Sequence, residues 1–297
     1  MTLREYLDAV RHKTVAVVGI GVSNEPLIRL LLQEGVAVTA CDKRTREQLG
    51  KLAGELEARG ARLQLGPDYL EGLDQDIIFR TPGLRPDVPQ LAKAVAGGSE
   101  LTSEMEVFFR VCPCPIIAVT GSDGKTTTTT IIAELLKKAG NTVHVGGNIG
   151  HPLLCEAGDM RPTDYAVLEL SSFQLMTMKH SPHIAVVTNL APNHLDVHKD
   201  YQEYVDAKAN IFTHQTASDI AVFNADNDDT VRQAAKAVGE VRWFSRKQRV
   251  ENGVFCENGV IYEAVNGAVM PIMETKDILL PGAHNVENYM AAFAAVR

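Results

Sequence analysis

A lysine that follows a short glycine turn constrains the fold of this chain more than any other feature of its sequence. Residues 120–127 read TGSDGKTT, after an apolar run at 115–119 and before a helical pattern at 131–137. Where a strand, a glycine turn and a helix N-terminus follow one another, main-chain N–H groups and the helix dipole attract an anion. The P-loop expression G-x-x-x-x-G-K-[ST] has a longer spacer than the Ser122-Asp123 pair found here. The sequence therefore predicts a shortened phosphate-binding loop, and the alternative is a tight turn with a surface lysine.

Strand-like and helix-like segments alternate along the chain, which predicts parallel α/β sheets. Apolar, β-branched runs at 14–18, 36–40 and 76–80 accompany a helical pattern at 27–32. After a break at 112–115, the sequence predicts strands at 116–120, 142–145, 165–170, 184–188 and 219–223, and helices at 126–139 and 201–213. Asn-Gly pairs at 252, 258 and 266 predict hairpins between 250 and 273. We expect a Rossmann-like N-terminal domain at 1–103 and a P-loop-type, mostly parallel α/β domain at 104–297.

Composition limits the classes of partner. The formal net charge of −8 disfavours a nucleic acid or an anionic membrane as partner. The N-terminus lacks an apolar signal region, and no stretch approaches the roughly 18 apolar residues of a membrane span. The five cysteines fit no zinc pattern and indicate reduced thiols. We therefore expect a cytoplasmic monomer that acts on small molecules.

A second glycine turn lies near the N-terminus. Residues 19–24 read GIGVSN and match the dinucleotide fingerprint G-x-G-x-x-G except that Asn24 replaces the third glycine. Asp42 stands where a ribose-binding acid would follow. NAD, another nucleotide and a plain βαβ turn all remain open, although Asn24 weakens the NAD interpretation because the third glycine permits close helix–strand packing.

Polar residues follow several of the expected strands. Glu169 ends the strand at 165–170, and its carboxylate with the Thr126 hydroxyl would suit a magnesium ion, while a capping or salt-bridged glutamate is the alternative. His194 and His198 have a spacing that zinc uses on helices, but the glutamate of H-E-x-x-H is missing, which favours a site histidine near the phosphates. Lys208 alone would be interpreted as a solvated lysine on a helix face.

Taken together and in order, these elements resemble the Mur ligases, the ATP-dependent enzymes that build the peptide of bacterial peptidoglycan. The resemblance is carried by TGSDGKTT at 120–127, GNIG at 147–150, LELSSFQL at 168–175, NHLD at 193–196, Lys208 and HNVEN at 284–288. The short first domain, with GIGVSN at 19–24 and TPG at 81–83, resembles that of members which join D-glutamate to UDP-N-acetylmuramoyl-L-alanine. The resemblance implies a role in cell-wall synthesis and hence in cell shape and division.

The resemblance also implies residue roles. ATP would be bound by Gly121, Ser122, Asp123, Gly124, Lys125, Thr126, Thr127, Asn285 and Asn288. The UDP substrate would be bound by Gly21, Val22, Ser23, Asp42, Lys43, Arg44, Thr81, Pro82, Gly83, Asn148 and Ser171. Magnesium ligands would be Thr126, Glu169, His194 and a Lys208 carbamylated by CO₂. Lys125, His194 and Lys208 would be the catalytic residues.

The implied reaction passes through an acyl phosphate, formed when the substrate carboxylate attacks the γ-phosphate of ATP. The amine of D-glutamate then displaces phosphate. Family members carry a third, C-terminal domain that binds the incoming amino acid, whereas this chain stops shortly after HNVEN. We therefore expect a truncated chain that binds its ligands but does not ligate. The alternatives are another member of the family and an NAD-binding oxidoreductase or regulatory protein.

Overall fold

The computed structural model describes residues 1–193 and 196–297 and divides into two compact units. The first unit comprises Met1–Pro113 and His151–Met160, and the second comprises Cys114–Gly150 and Arg161–Arg297. The boundary expected after residue 103 lies upstream of this division, because the helix at 104–111 packs against the 151–160 segment of the first unit. The return of residues 151–160 to the first unit has no counterpart in the sequence-based prediction.

The first unit is a parallel sheet flanked by helices. Its elements are α1 (Leu3–Val10), β1 (Thr14–Val18), α2 (Asn24–Gln33), β2 (Ala37–Asp42), α3 (Arg46–Leu49), α4 (Lys51–Ala58), β3 (Arg62–Leu65), β4 (Ile77–Arg80), α5 (Pro89–Ala96), β5 (Glu100–Thr102) and α6 (Glu104–Val111). The strand order is β3-β2-β1-β4-β5, and each neighbouring pair is parallel. The β1 residues from Val15 to Val18 are wholly buried, as expected for a strand covered on both faces.

The second unit contains a larger sheet. Its elements are β6 (Ile116–Thr120), α7 (Lys125–Lys138), β7 (Val143–Gly147), β8 (Tyr165–Glu169), α8 (Ser172–Leu175), β9 (Ile184–Val187), α9 (Tyr201–Ala209), β10 (Ile220–Asn224), α10 (Asp228–Ala234), β11 (Glu240–Ser245), β12 (Gly253–Glu257), β13 (Val260–Val265), β14 (Ala268–Glu274) and α11 (Ala283–Val296). The strand order is β14-β13-β12-β11-β10-β9-β6-β8-β7. All neighbouring pairs among β6 to β12 are parallel. The pairs β12–β13 and β13–β14 are antiparallel. The predicted α/β class with mostly parallel sheets is confirmed.

Two of the three Asn-Gly pairs form hairpin turns. Asn258-Gly259 and Asn266-Gly267 have positive φ at both residues and join β12 to β13 and β13 to β14, as two-residue hairpin turns require. The hairpin expected at Asn252-Gly253 is wrong, because β12 pairs in parallel with β11. The Gly253 backbone instead lies so close to β11 that a Cβ would stand 1.8 Å from the Trp243 carbonyl oxygen.

The core of the second unit brings its last helix against the phosphate-loop helix. Ile132 of α7 and Met290, Ala291 and Ala294 of α11 belong to one buried cluster with Val119 of β6. This packing sets the N-terminal part of α11 beside the start of α7, where Thr128 and Asn288 are hydrogen bonded. Within the described ranges, none of the helices has the length and apolar character that a membrane crossing requires.

A buried carboxyl fixes the returning segment within the first unit. Glu104, at the start of α6, is 5% exposed, and its Oε1 accepts a hydrogen bond from the Leu154 main-chain N–H at 3.0 Å. Burial raises the pKa of Glu104 from 4.5 to about 7, although the Leu154 hydrogen bond opposes the shift. The folded protein therefore holds this proton at pH values where the unfolded chain has released it.

We predict that this carboxyl makes the stability of the protein fall as pH rises. Its contribution is fully present below pH 4.5 and is lost as pH passes through about 7, a change of about 3 kcal/mol. Thermal midpoints between pH 5 and pH 8 should therefore fall more steeply for the wild type than for Glu104→Gln. Asp74→Asn, which alters an exposed carboxylate of the same unit, should follow the wild type. Parallel curves for the wild type and Glu104→Gln would refute the assignment.

Candidate functional site

The glycines of the phosphate loop allow close approach of two other segments. Gly121 has φ +153° and Gly124 has φ +78°, both in the region that favours glycine. A Cβ at Gly121 would lie 1.9 Å from Thr188 Oγ1, and one at Gly124 would lie 2.3 Å from Asn288 Oδ1. Both positions therefore require glycine, and the loop lies directly against the end of β9 and the start of α11.

Lys125 is the first residue of α7, and its side chain folds back over the loop. Its Nζ donates to the carbonyl oxygens of Gly121 at 3.1 Å and Ser122 at 2.9 Å. The N–H groups in the first turn of a helix have no acceptor within the helix, so Thr126 and Thr127 lie where main-chain donors face outward. This arrangement concentrates positive charge at the N-terminus of α7.

Not every amide of the loop is available to a ligand. The N–H of Ser122 donates to the main-chain oxygen of Asn189 at 2.9 Å, and the N–H of Asp123 donates to Asn189 Oδ1 at 3.0 Å. The sequence indicated an anion site over the whole loop. The structure assigns these two donors to Asn189, so an anion would be met by the following amides and by Lys125.

Glu169 connects the loop helix to the end of β7. It is the last residue of β8 and only 1% exposed. Its Oε2 accepts from Thr126 Oγ1 at 2.6 Å, and its Oε1 accepts from Asn148 Nδ2 at 2.7 Å. A hydroxyl and a carboxylate oxygen in contact are the kind of donors that Mg²⁺ takes beside nucleotide phosphates. No cluster of three or more His, Cys, Asp or Glu residues suited to a metal occurs among the described residues.

Lys208 is buried, so the solvated lysine expected from sequence physics alone is wrong. The side chain is on α9, in a residue only 3% exposed, and Nζ donates to Gly121 O at 2.8 Å and Thr120 Oγ1 at 3.2 Å. Nζ also lies 4.8 Å from the centre of the Tyr204 ring. Burial lowers the pKa of Lys208 to about 7, helped by the charge of Lys125 and opposed by Glu169 and by Asp123.

Two buried aromatic residues support this region: Tyr204, to which the sequence gave no role, and His198, which it considered as a zinc ligand. The Tyr204 hydroxyl lies 2.8 Å from Ser122 Oγ, which also bonds to the main chain of Ala191. His198 Nε2 lies 2.9 Å from Ser172 Oγ, and its ring stacks on Phe173. The structure thus gives His198 a packing role, and His194, which the sequence paired with it, lies outside the described residues.

A cavity of about 360 Å³ adjoins the phosphate loop. It is lined by Asp123, Gly124, Thr188, Asn189, Phe244, His284, Glu287 and Asn288. Asn288 accepts from Thr128 Oγ1 at 3.3 Å and donates to Asn285 Oδ1 at 3.2 Å, while Asn285 donates to Pro281 O. Ser171, expected on the substrate path, caps α8 by accepting from the Gln174 N–H. Phe244 lines the cavity without any earlier signal in the sequence, and His284 and Glu287 line it although the HNVEN motif had given a role only to Asn285 and Asn288.

The first unit has its own cavity, of about 490 Å³, at the carboxyl ends of its strands. It is lined by Gly19, Gly21, Asp42, Lys43, Arg44, Tyr69, Thr81, Gly83 and Leu84. Six of the residues expected to bind substrate are therefore together, and Gly19, Tyr69 and Leu84 are additions. Val22 is 79% exposed, Ser23 precedes α2, and Pro82 O accepts from the buried Arg80 guanidinium; none of these three is among the lining residues of this cavity.

Asp42 is occupied by protein donors at this cavity. Its Oδ2 accepts from the Ile20 N–H at 2.7 Å, and its Oδ1 accepts from Arg44 Nε at 2.9 Å. Burial would raise the pKa of Asp42, but its hydrogen bonds from Arg44 and the Ile20 main chain lower it overall. Asn24 occupies the position of the third glycine in the fingerprint. Its Nδ2 donates to Val18 O and Gly19 O and so closes the turn.

Known proteins are similar to this chain in sequence. Residues 119–296 match the Mur ligase middle domain. Proteins named UDP-N-acetylmuramoylalanine–D-glutamate ligase from Ruminiclostridium cellulolyticum and Clostridium novyi are 53% and 50% identical to this chain, each over 99% of its length. The chain spans 63% and 64% of these two relatives.

Solved structures share the fold at lower identity. A UDP-N-acetylmuramate:L-alanyl-γ-D-glutamyl-meso-diaminopimelate ligase from Neisseria meningitides superposes with a TM-score of 0.60 at 18% identity, covering 95% of this chain and 92% of that one. A UDP-N-acetylmuramate–alanine ligase from Thermotoga maritima gives a TM-score of 0.52 at 22% identity, covering 95% of this chain and 64% of that one.

Proposed function

This chain belongs to the Mur ligase family, and on that premise we propose that its second unit binds Mg–ATP and its first unit binds UDP-N-acetylmuramoyl-L-alanine. We further propose that the protein it represents joins D-glutamate to that substrate in peptidoglycan synthesis. The names of the relatives from R. cellulolyticum and C. novyi support this choice of acceptor.

The observation that carries the ATP proposal is the chain of contacts from Thr126 through Glu169 to Asn148, beside Lys125. Thr126 and Glu169 would hold Mg²⁺, which would supply charge neutralisation at the phosphates. Lys125 would swing from the loop carbonyls to the β- and γ-phosphates, as the lysine of a P-loop does. The 360 Å³ cavity adjoining the loop, bordered by Asn288, would receive the adenine.

We predict that Lys125→Ala weakens Mg–ATP binding by about tenfold or more, because a charge-assisted hydrogen bond to phosphate is lost. The thermal midpoint should change little, since the Lys125 side chain is half-buried and bonds only to loop carbonyls. Calorimetric titration measures the affinity. Lys138→Ala, at the far end of α7, is the matched control and should bind as the wild type does. Unchanged affinity in Lys125→Ala would exclude the lysine from the phosphate site.

The first-unit cavity suits a UDP compound better than NAD, although both carry a diphosphate. Lys43 and Arg44 bring two cations to its lining. Asp42 already accepts from Arg44 and Ile20, so it does not present a free carboxylate to the ribose of NAD. Asn24 fills the position that the dinucleotide fingerprint gives to a third glycine.

We therefore expect calorimetric titration of the wild-type chain to detect UDP-N-acetylmuramoyl-L-alanine and not NADH. Arg44→Met should weaken binding of the UDP compound, because one cation is removed from the cavity and Asp42 is left without its side-chain partner. Arg59→Met, at the exposed end of α4, serves as the control. Binding of NADH alone would favour a redox or sensing role for the first unit.

The proposed reaction brings two anions together. The alanine carboxylate attacks the γ-phosphate, ADP leaves, and an acyl phosphate forms. The amine of D-glutamate then attacks the acyl carbon, an amide forms, and inorganic phosphate leaves. Lys125 would reduce the repulsion between carboxylate and phosphate, and Asn148, held by Glu169, would orient the reacting groups. A role for His194 as a magnesium ligand and catalytic residue is proposed on the family resemblance alone.

Lys208 would be carbamylated in the active protein. Its amine is enclosed beside the phosphate loop, and a pKa of about 7 leaves much of it neutral and able to attack CO₂ near physiological pH. The reaction joins the amine nitrogen to the CO₂ carbon and releases one proton. The resulting carbamate would supply oxygen ligands to magnesium.

We predict that ¹³C-labelled bicarbonate places one carbamate resonance on the wild-type chain at pH 7.5. Lys208→Met should lack that resonance, because exposed lysines stay protonated and do not attack CO₂. Lys236→Met, which alters an exposed lysine, should retain it. A wild type without the resonance, or a signal that persists in Lys208→Met, would contradict the carbamate.

A further inference from the structure

The segment from Thr188 to Ala191 extends β9 beyond the end of its regular ladder. β9 ends at Val187, between β6 and β10. The following residues lie between the phosphate loop, which continues β6, and residues 224–227, which end β10 and lead into α10. We call residues 188–191 the strip. Side-chain amides, and not only main-chain groups, tie it to both neighbours.

On the phosphate-loop side, Asn189 acts as a main-chain unit would. Its Oδ1 accepts from the Asp123 N–H at 3.0 Å, and its Nδ2 donates to Asp123 O at 3.2 Å. Thr188 Oγ1 donates to the same carbonyl at 2.6 Å. Because a primary amide offers one acceptor and donors in a plane, it can replace a pair of ladder hydrogen bonds.

On the β10 side, Asn227 repeats this arrangement with Leu190. Its Oδ1 accepts from the Leu190 N–H at 3.3 Å, and its Nδ2 donates to Leu190 O at 3.1 Å. Asn224, which is 5% exposed, donates from Nδ2 to Thr188 O at 3.0 Å. On one side, the strip is thus held by Asn224 at the end of β10 and by Asn227 at the N-cap of α10. On its other side, the strip holds the phosphate loop.

We propose that Asn224 and Asn227 are positioning residues for nucleotide binding, which they support through the strip and without lining the nucleotide cavity themselves. The inference rests on the proposed Mg–ATP site. A loop with two glycines has many accessible conformations, and ordering it on binding costs affinity. Ties from Asn189 and Thr188 limit that freedom only if the strip is itself fixed. Asn224 and Asn227 provide that fixed support.

Asn227→Ser isolates this role from helix capping. Asn227 also caps α10, because Oδ1 accepts from the Thr230 N–H at 3.0 Å. Serine caps a helix nearly as well but is too short to reach both main-chain atoms of Leu190. Asn141→Ser is the matched control, since it removes an asparagine bond to Leu136 O at the other end of α7.

Hydrogen exchange of the ligand-free chain is the primary measurement. Asn227→Ser should speed exchange in residues 121–125 and 188–191 by about fivefold, the size expected for one ordinary hydrogen bond. Asn141→Ser should speed exchange only near the end of α7. Unchanged exchange at 121–125 in Asn227→Ser would overturn the proposal.

Mg–ATP affinity supplies the functional measurement. Asn227→Ser should weaken binding about fivefold, and Asn141→Ser should not. In an Asn189→Ala background, Asn227→Ser should have a smaller effect than in the wild type, because one of the two side-chain ties that carry its influence is already cut while the Thr188 tie remains. Fully additive losses would overturn the proposal. Absence of Mg–ATP binding by the wild type would refute the proposed function, while hydrogen exchange would still decide whether the asparagines order the loop.

Discussion

Parallel pairing of the strands decides where the phosphate loop, Glu169 and the strip lie in the second unit. Val119 of β6 is opposite Glu169 of β8, and Thr120 is opposite Val187 of β9. Because parallel strands end at the same edge of a sheet, the chain leaves β6, β8 and β9 as neighbouring loops. The phosphate loop, the carboxylate and the strip are therefore adjacent without any direct sequence relation between them.

At three glycines of this edge, neighbouring atoms approach more closely than a Cβ on the glycine would allow. Gly121 admits Thr188, Gly124 admits Asn288, and Gly147 has φ +96° with room for no Cβ beside the Glu169 carbonyl. Each glycine thus fixes the approach of one partner segment. Two lysines then share an acceptor, since Lys125 and Lys208 both donate to Gly121 O. The charge of Lys125 is, after burial, the second cause of the lowered pKa of Lys208, and an incoming anion would offset that charge.

Local pattern was enough to predict the elements that act locally. The phosphate loop, the alternating strands and the carboxylate at the end of β8 follow from periodicity and from glycine positions, as does the class of the fold. The burial of Lys208 could not be found this way, because its acceptors Thr120 and Gly121 are remote in sequence. Tyr69 and Leu84 were missed for a similar reason, since loops after β3 and β4 carry them to the cavity. The hairpin expected at Asn252-Gly253 failed because a dipeptide signal does not determine which strand becomes the neighbour.

The return of residues 151–160 affects how the gene could be recombined. The first unit takes Leu153, Leu154 and Ala157 into its buried interior from a stretch encoded after the phosphate loop. A cut at Pro113 would therefore yield an incomplete N-terminal piece. The C-terminal piece would keep an apolar stretch without the unit that buries it. Residues 1–113 are therefore not a self-contained segment of the chain. The two units are each compact in space but interleaved along the chain, so the break between them cannot be made with a single cut.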